Sequence, residues 1–255
     1  MNEEIKDLYF CGDTHGKWRE LIWEALNRYN IKNARICVLG DFGVGFDNTL
    51  DGFYQWAEER LERSNVILYA IRGNHDDPEY FSDETKYSYP RLRFLEDHKV
   101  YNLSGREVYT IGGANSTDIT WRLEENRKNR NKRKCWWEGE DIVKKRTDLP
   151  GKVDIIITHS APLSFDPIVK RFPETPEDQY EKILEERRYL DFILKEITAD
   201  YWFYGHFHNH YSGSFGNLLY RGLAELELFE APQPIIRNPQ GEEETDETET
   251  NNLTK

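Results

Sequence analysis

Residues 8–16 read "LYFCGDTHG": a short apolar run, a glycine, then an aspartate and a histidine two positions apart. A run this short, rich in aromatic residues and stopped by glycine, reads as a buried strand rather than a helix segment. The arrangement recurs along the chain. "ICVLGD" (36–41) ends on Asp41, and "VILYAIRGNHDD" (66–77) delivers Asn74, His75 and Asp76. "VDIIITH" (153–159) ends on His159, and "DYWFYGHFH" (200–208) carries His206 and His208. Between the first three runs, Trp18, Leu21, Ile22, Ala25, Leu26 and Tyr29 follow helical spacing, as do Leu50, Phe53, Tyr54, Ala57 and Leu61. Strand–helix–strand alternation predicts an α/β fold whose parallel strands are joined by right-handed crossovers. In such sheets the loops at the C-terminal ends of the strands meet in one crevice.

Each piece alone has an ordinary reading. Asp13 or Thr14 before an amphipathic segment is an expected helix cap, and "GNHDD" is an acceptable turn. His206, His208 and His210 at alternate positions would share one face of an extended strand with no ligand between them. What points to a site is that five apolar runs all release Asp, His or Asn at the same end. Carboxylates, imidazoles and an amide, with no thiolate nearby, suit borderline divalent metals such as manganese, iron(II) or zinc. Seven such side chains exceed one tetrahedral site and match two ions sharing a bridging carboxylate.

The rest of the chain frames that site. A helix is expected from "TPED", with Thr175 as cap, Pro176 in the first turn and Asp178 completing a capping box. Its apolar face comprises Ile183, Leu184, Leu190, Ile193, Leu194 and Ile197. "HNHYSGS" and "NLLYRG" predict a hairpin turning near Gly216-Asn217. The expected organisation is one domain over 1–237, with an insertion at about 114–150, and an acidic disordered tail over 238–255. A net charge of −13 argues against a protein that coats nucleic acid by overall charge. Three cysteines without metal-type spacing give neither a disulfide framework nor a zinc ribbon, and Cys11 and Cys37 read as small buried hydrophobes. No signal-peptide core or membrane-length apolar run is present, so a cytoplasmic protein with no membrane partner is expected. The sequence leaves the oligomeric state open.

Taken in order, "DTH", "GD", "GNHD", "H" and "GHFH" resemble the calcineurin-like metallophosphoesterase superfamily, and the resemblance spans residues 13 to 208. It implies a four-layer αββα sandwich with a dinuclear metal centre between the loops of two sheets. It puts Asp13, His15 and His208 on one ion, Asn74, His159 and His206 on the other, and Asp41 between them. His75 would lie over the scissile phosphate as a catalytic residue, with Asp76 as its orienting partner. His210 has no counterpart in the motif. The implied reaction is hydrolysis of a phosphate ester by a hydroxide shared between the ions, as a phosphatase or phosphodiesterase, with His75 stabilising charge or protonating the leaving oxygen.

Departures from the motif bear on the substrate. "GDFGVGF" (40–46) lacks the arginine that the Ser/Thr protein phosphatase branch carries there, which disfavours a phosphoprotein. Arg72 could be taken for that arginine or for a structural residue at a strand end. The stretch "GGANSTDITWRLEENRKNRNKRKCWWEGED" (112–141) is similar to a bacterial and phage-encoded subgroup of the superfamily. Within it Asp118 and Arg122 are candidate substrate-binding residues, while Trp121, Trp136 and Trp137 are expected to pack the insertion on the sheet. "RKNRNKRK" (127–134) reads either as a solvated face or as a landing strip for a polyanion, expected to act through Lys132, Arg133 and Lys134. A small phosphate ester or nucleotide is the expected substrate. The alternatives are a nuclease acting on nucleic acid by the same chemistry and a non-catalytic interaction module.

Overall fold

The computed structural model describes residues 5–46, 49–83, 87, 89–128, 134–167 and 175–233. The acidic tail lies outside the described residues, and so do residues 129–133 of the basic run, including Lys132 and Arg133.

Strand β1 (Asp7–Cys11) turns Leu8 and Phe10 to one face and Tyr9 and Cys11 to the other, and the two sets join different apolar cores. The same division holds in β2 (Ala34–Val38), where Ile36 and Val38 face one core and Cys37 the other. In β3 (Ile67–Ala70), Leu68 and Ala70 oppose Tyr69. A strand apolar on both faces is covered on both. On one side lie helix α1 (Trp18–Trp23) and helix α2 (Leu50–Arg63), which bury Trp18, Leu21, Ile22, Phe53, Tyr54, Ala57 and Leu61. On the other side lies a second sheet.

The first sheet runs β11-β1-β2-β3-β4, with β4 at Leu92–Phe94 and β11 at Leu228–Glu230. All its pairings are parallel except β1 with β11. The second runs β5-β6-β7-β8-β10-β9, comprising β5 (Val100–Leu103), β6 (Arg106–Ile111), β7 (Ile155–Thr158), β8 (Tyr201–Tyr204), β9 (Tyr211–Phe215) and β10 (Leu218–Gly222). Its flanking strands β5 and β9 pair antiparallel and its central four are parallel. Ile155, Ile157, Tyr201 and Phe203 face the first sheet, and Phe10 stacks on Phe203 across the gap at 4.5 Å between ring centres. Helix α3 (Ile119–Lys128) lies in the insertion, and Ile156, Trp202 and Tyr204 face outward onto helix α4 (Glu177–Glu196). The order is helices, sheet, sheet, helix: the expected four-layer αββα sandwich.

Several local expectations need correction. Tyr29 is 55% exposed rather than on the apolar face, because the helix widens into a π turn over Glu24–Arg28 and its register shifts after Ala25. Thr175 does not cap α4: its hydroxyl donates to the Thr117 carbonyl at 2.6 Å, and the helix starts at Glu177 without a side-chain cap. The α4 face toward the sheet also carries Gln179, Glu186 and Arg187, all buried. The hairpin turns at Gly216-Asn217 as expected, but the stretch before Tyr211 is not extended, since His206 and His208 take positive φ values of 67° and 53°. Trp137 is buried, whereas Trp121 is 58% exposed and does not pack the insertion.

The inter-sheet core sets the spacing that the site depends on, and Phe10 is its centre, with no exposed surface. Phe10→Ala should lower unfolding free energy by about 3–5 kcal/mol in urea titrations. A loss below about 1 kcal/mol would mean that the two sheets do not rely on this contact.

Candidate metal centre

Asp13 and His15 follow β1, Asp41 follows β2, Asn74 and His75 follow β3, His159 follows β7, and His206 and His208 follow β8. Both sheets therefore end at the same rim. The structure brings all seven sequence-predicted metal ligands together there. Ligand atoms of Asp13, His15, Asp41 and His208 all lie within 4.8 Å of one another. His15 Nε2 is 3.0 Å from His208 Nε2, which is 3.0 Å from Asp13 Oδ2. Beside this group, His159 Nε2 lies 3.0 Å from Asn74 Oδ1 and 3.2 Å from Asp41 Oδ1, and the His206 ring sits edge-on to His159 at 4.9 Å. Asp41 belongs to both groups: Oδ1 faces His159, and Oδ2 lies 3.8 Å from His15 Nδ1.

The backbone is contorted to achieve this. His15, Asp41, His206 and His208 all adopt left-handed φ values between 47° and 67°. That conformation is costly without glycine and persists where the surroundings enforce it. The enforcement is visible in the hydrogen bonds: Thr14 N and His15 N donate to Asp41 O, Gly16 N to Phe42 O, and His206 N to Asp13 Oδ1. Close approach explains the glycines. A Cβ on Gly73 would stand 2.1 Å from Asp41 Oδ1, and one on Gly40 would stand 2.2 Å from His159 Nδ1.

Electrostatics favour a cation. Asp13 and Asp41 are each 1% exposed, and Asp13 Oδ2 has no well-formed hydrogen bond. Burial opposes the charge of Asp41, yet the surrounding imidazoles outweigh it and hold its carboxyl well below the usual range. Burial likewise opposes a proton on His159, and the neighbouring Asp41 overcomes it, raising the ring to about 9. A field that strong for a proton is equally a field for a divalent ion, and the donor set fits borderline metals.

His75 stands at the edge of this cluster, its Nε2 3.8 Å from Asp41 Oδ2. Burial pushes its ring down to about 4, and the Arg122 guanidinium, in contact with that ring, pushes the same way. Arg122 is 2% exposed and is held by Asp118, whose Oδ1 accepts from its Nε at 2.6 Å. The expectation that Asp76 orients His75 is corrected. Its buried carboxylate accepts four backbone N–H groups, from Phe42, Gly43, Val44 and Gly73, and so ties the second and third loops together. Arg72 is structural, bound to Asp97 and to the carbonyls of Gly139, Glu140 and Asp141. His210 points away to Glu227 at 2.9 Å.

Glu225 carried no sequence signal, whereas Ser116 and Glu140 belong to the stretch 112–141 that resembles the subgroup. Glu225 lies 3.6 Å from His208 Nδ1 and 3.8 Å from His15 Nε2, while pairing with Lys17 at 2.7 Å. Ser116 and Glu140 bond to each other behind Asn74.

Fold and site together define a metal-dependent phosphoester hydrolase. A family model described as calcineurin-like phosphoesterase matches residues 7–210, and the chain belongs to that family. Among solved structures, the phosphopantetheinyl hydrolase of Mycobacterium tuberculosis is similar at 12% identity, covering 92% of this chain and 98% of that one, with a TM-score of 0.41. No curated protein matches the chain. No described helix is long and apolar enough to cross a membrane.

Behind the site, Glu186 accepts from Asn115 N and Nδ2, and burial pushes its carboxyl from 4.5 up to about 7. Below pH 4.5 folded and unfolded chains both hold this proton. From there to pH 7 only the folded chain keeps it, so stability is lost as pH rises through that window. Glu186→Gln, which removes the titration, should gain about 2–3 kcal/mol over the parent between pH 5 and pH 8 in denaturant titrations. A constant difference between the two proteins across that range would refute the assignment.

Proposed function

We propose that the protein hydrolyses a small phosphate ester or nucleotide at a pair of divalent ions. Asp13, His15 and His208 would hold one ion, and Asn74, His159 and His206 the other, with Asp41 shared. Asp41 carries this reading, because its two oxygens face two different sets of donors, His159 and Asn74 on one side and His15 on the other. Manganese is the first choice of metal, with iron(II) and zinc as alternatives. When bound, such a pair supplies a water made nucleophilic near neutral pH and neutralises phosphate oxygens.

The chain's own residues supply the rest. A cleft of about 280 Å³ lined by His15, Trp18, Gly43, Phe46, Thr49 and His75 opens beside the cluster, a size suited to a small substrate. His75 forms one wall and can donate a hydrogen bond to a phosphate oxygen or to the leaving group. Arg122 stands behind it with a permanent charge, filling the role for which the second loop has no arginine, and Asp118 fixes its direction. A guanidinium there favours the dianion of a monoester over the monoanion of a diester.

Paired chromogenic monoester and diester substrates with manganese, followed by nucleotides and single- and double-stranded nucleic acids, test the reading. Turnover should require added metal, and Asp41→Asn should lower it more than about 100-fold, since an amide bridges poorly. Full activity in that variant would end the dinuclear account. Arg122→Lys should raise KM for the monoester more than for the diester, whereas His75→Asn should lower kcat about 10²–10⁴-fold on a poor leaving group. Equal effects of Arg122→Lys on both substrates, or unchanged kcat in His75→Asn, would remove the respective roles.

A further inference from the structure

Among the proposed ligands, Asn74 poses a problem that the carboxylates and imidazoles do not. A carboxamide has one end that binds a cation and one that repels it, and the two ends have the same shape. Asn74 Oδ1 lies toward the cluster, 3.0 Å from His159 Nε2, while Nδ2 donates to Ser116 Oγ at 3.0 Å. The Ser116 hydroxyl donates in turn to Glu140 Oε2 at 2.7 Å, and the Ser116 N–H donates to Glu140 Oε1 at 2.9 Å. A hydroxyl has a single proton. Once that proton is committed to Glu140, the oxygen can only accept, so only the NH₂ end of Asn74 can face it.

We propose that Ser116 and Glu140 are positioning residues, a carboxylate–hydroxyl relay that decides which end of the Asn74 carboxamide is presented to the second ion. The proposal rests on the reading of Asn74 as a ligand. Asn74, Ser116 and Glu140 are 2%, 1% and 5% exposed, which leaves little room for water to substitute in the relay. Ser116 is also anchored. Its loop is held by Ala114 N on Glu140 O, by Asn115 on Glu186, by Gln179 Nε2 on Ser116 O and by Thr175 on Thr117 O. The relay therefore cannot follow a turned amide; it can only oppose one. Both members come from the insertion, in its "GGANS" and "WWEGE" ends, which gives those pieces a role in metal binding.

Manganese titration of metal-free protein at pH 8, with bound metal counted by elemental analysis, tests the relay. At that pH Glu140, which burial pushes up to about 7, has released its proton. Glu140→Gln keeps the volume and the acceptor for Ser116 N–H, but turns an NH₂ toward Ser116 Oγ. The hydroxyl proton is then freed toward Asn74, and the amide is driven to present its wrong end. The expected result is about 10–100-fold weaker binding at one of two manganese sites, with the other unchanged and the thermal midpoint of the metal-free protein no lower than the parent's. Ser116→Ala, which merely frees the amide, should lose less.

Asn74→Asp offers two like oxygens and has no wrong end, so adding Glu140→Gln to it should cost less than about threefold. Two tight manganese sites in both Glu140→Gln and Ser116→Ala would overturn the relay alone, as would an equal loss from Glu140→Gln in the Asn74→Asp background. A single manganese site in the parent chain, or two that survive Asn74→Ala, would overturn the ligand assignment and the relay with it.

Discussion

Two carboxylates, Asp13 and Asp41, are buried side by side at the rim of both sheets, and much of the surrounding structure serves to keep them there. An unpaired buried carboxylate costs several kcal/mol, so each must be compensated. Backbone N–H groups supply part of this, His206 N on Asp13 and His75 N on Asp41. Imidazoles supply another part. The remainder, at Asp13 Oδ2, which has imidazole nitrogens beside it but no well-formed hydrogen bond, is what a bound cation would provide. The protein stores an attraction for metal by leaving its own charge balance incomplete.

That incomplete balance dictates the backbone. To aim short side chains from several loops at one point, the chain uses left-handed residues where strands end and glycines where loops touch. The strain is held by cross-loop bonds rather than by the residues themselves. Asp76 is the clearest instance, since four N–H groups from two loops converge on one fully buried carboxylate. Burial and the charge of Asp41 raise its carboxyl to about 6, against the pull of those N–H groups. The bonds hold together the two loops that deliver Asp41 and Asn74.

The legible part of this molecule was the part with a period or a punctuation mark. Apolar runs ended by a polar residue, with a glycine before it in every case but β7, located β1, β2, β3, β7 and β8, because strands covered on both faces need continuous apolar sequence. They also located the seven clustered side chains. Strands β4, β5 and β11 left weaker traces, being very short or half exposed, as in the alternation of Val100–Leu103. The π turn that exposes Tyr29 and the Thr175–Thr117 bond arise from tertiary packing, which leaves no mark in local spacing. Asp76 was misread for the same reason: adjacency to His75 in sequence says nothing about which N–H groups a buried carboxylate will find. Glu225 approaches its histidines from a loop after the last motif, with nothing in the sequence to connect them.

The insertion changes how selectivity can be understood. It sends Arg122 to the ring of His75 and, through Ser116, a hydroxyl to the amide of Asn74. His75 and Asn74 are consecutive residues on one loop, so the inserted segment grips that loop from two points. Arg72 closes the connection, since its guanidinium leaves the same loop to hold the carbonyls of Gly139, Glu140 and Asp141. Displacing the insertion would therefore disturb the third loop through charge, through hydrogen bonding and through backbone position at once. The same inserted stretch thus touches both the residue proposed to meet phosphate, through Arg122, and the residue proposed to hold metal, through Ser116.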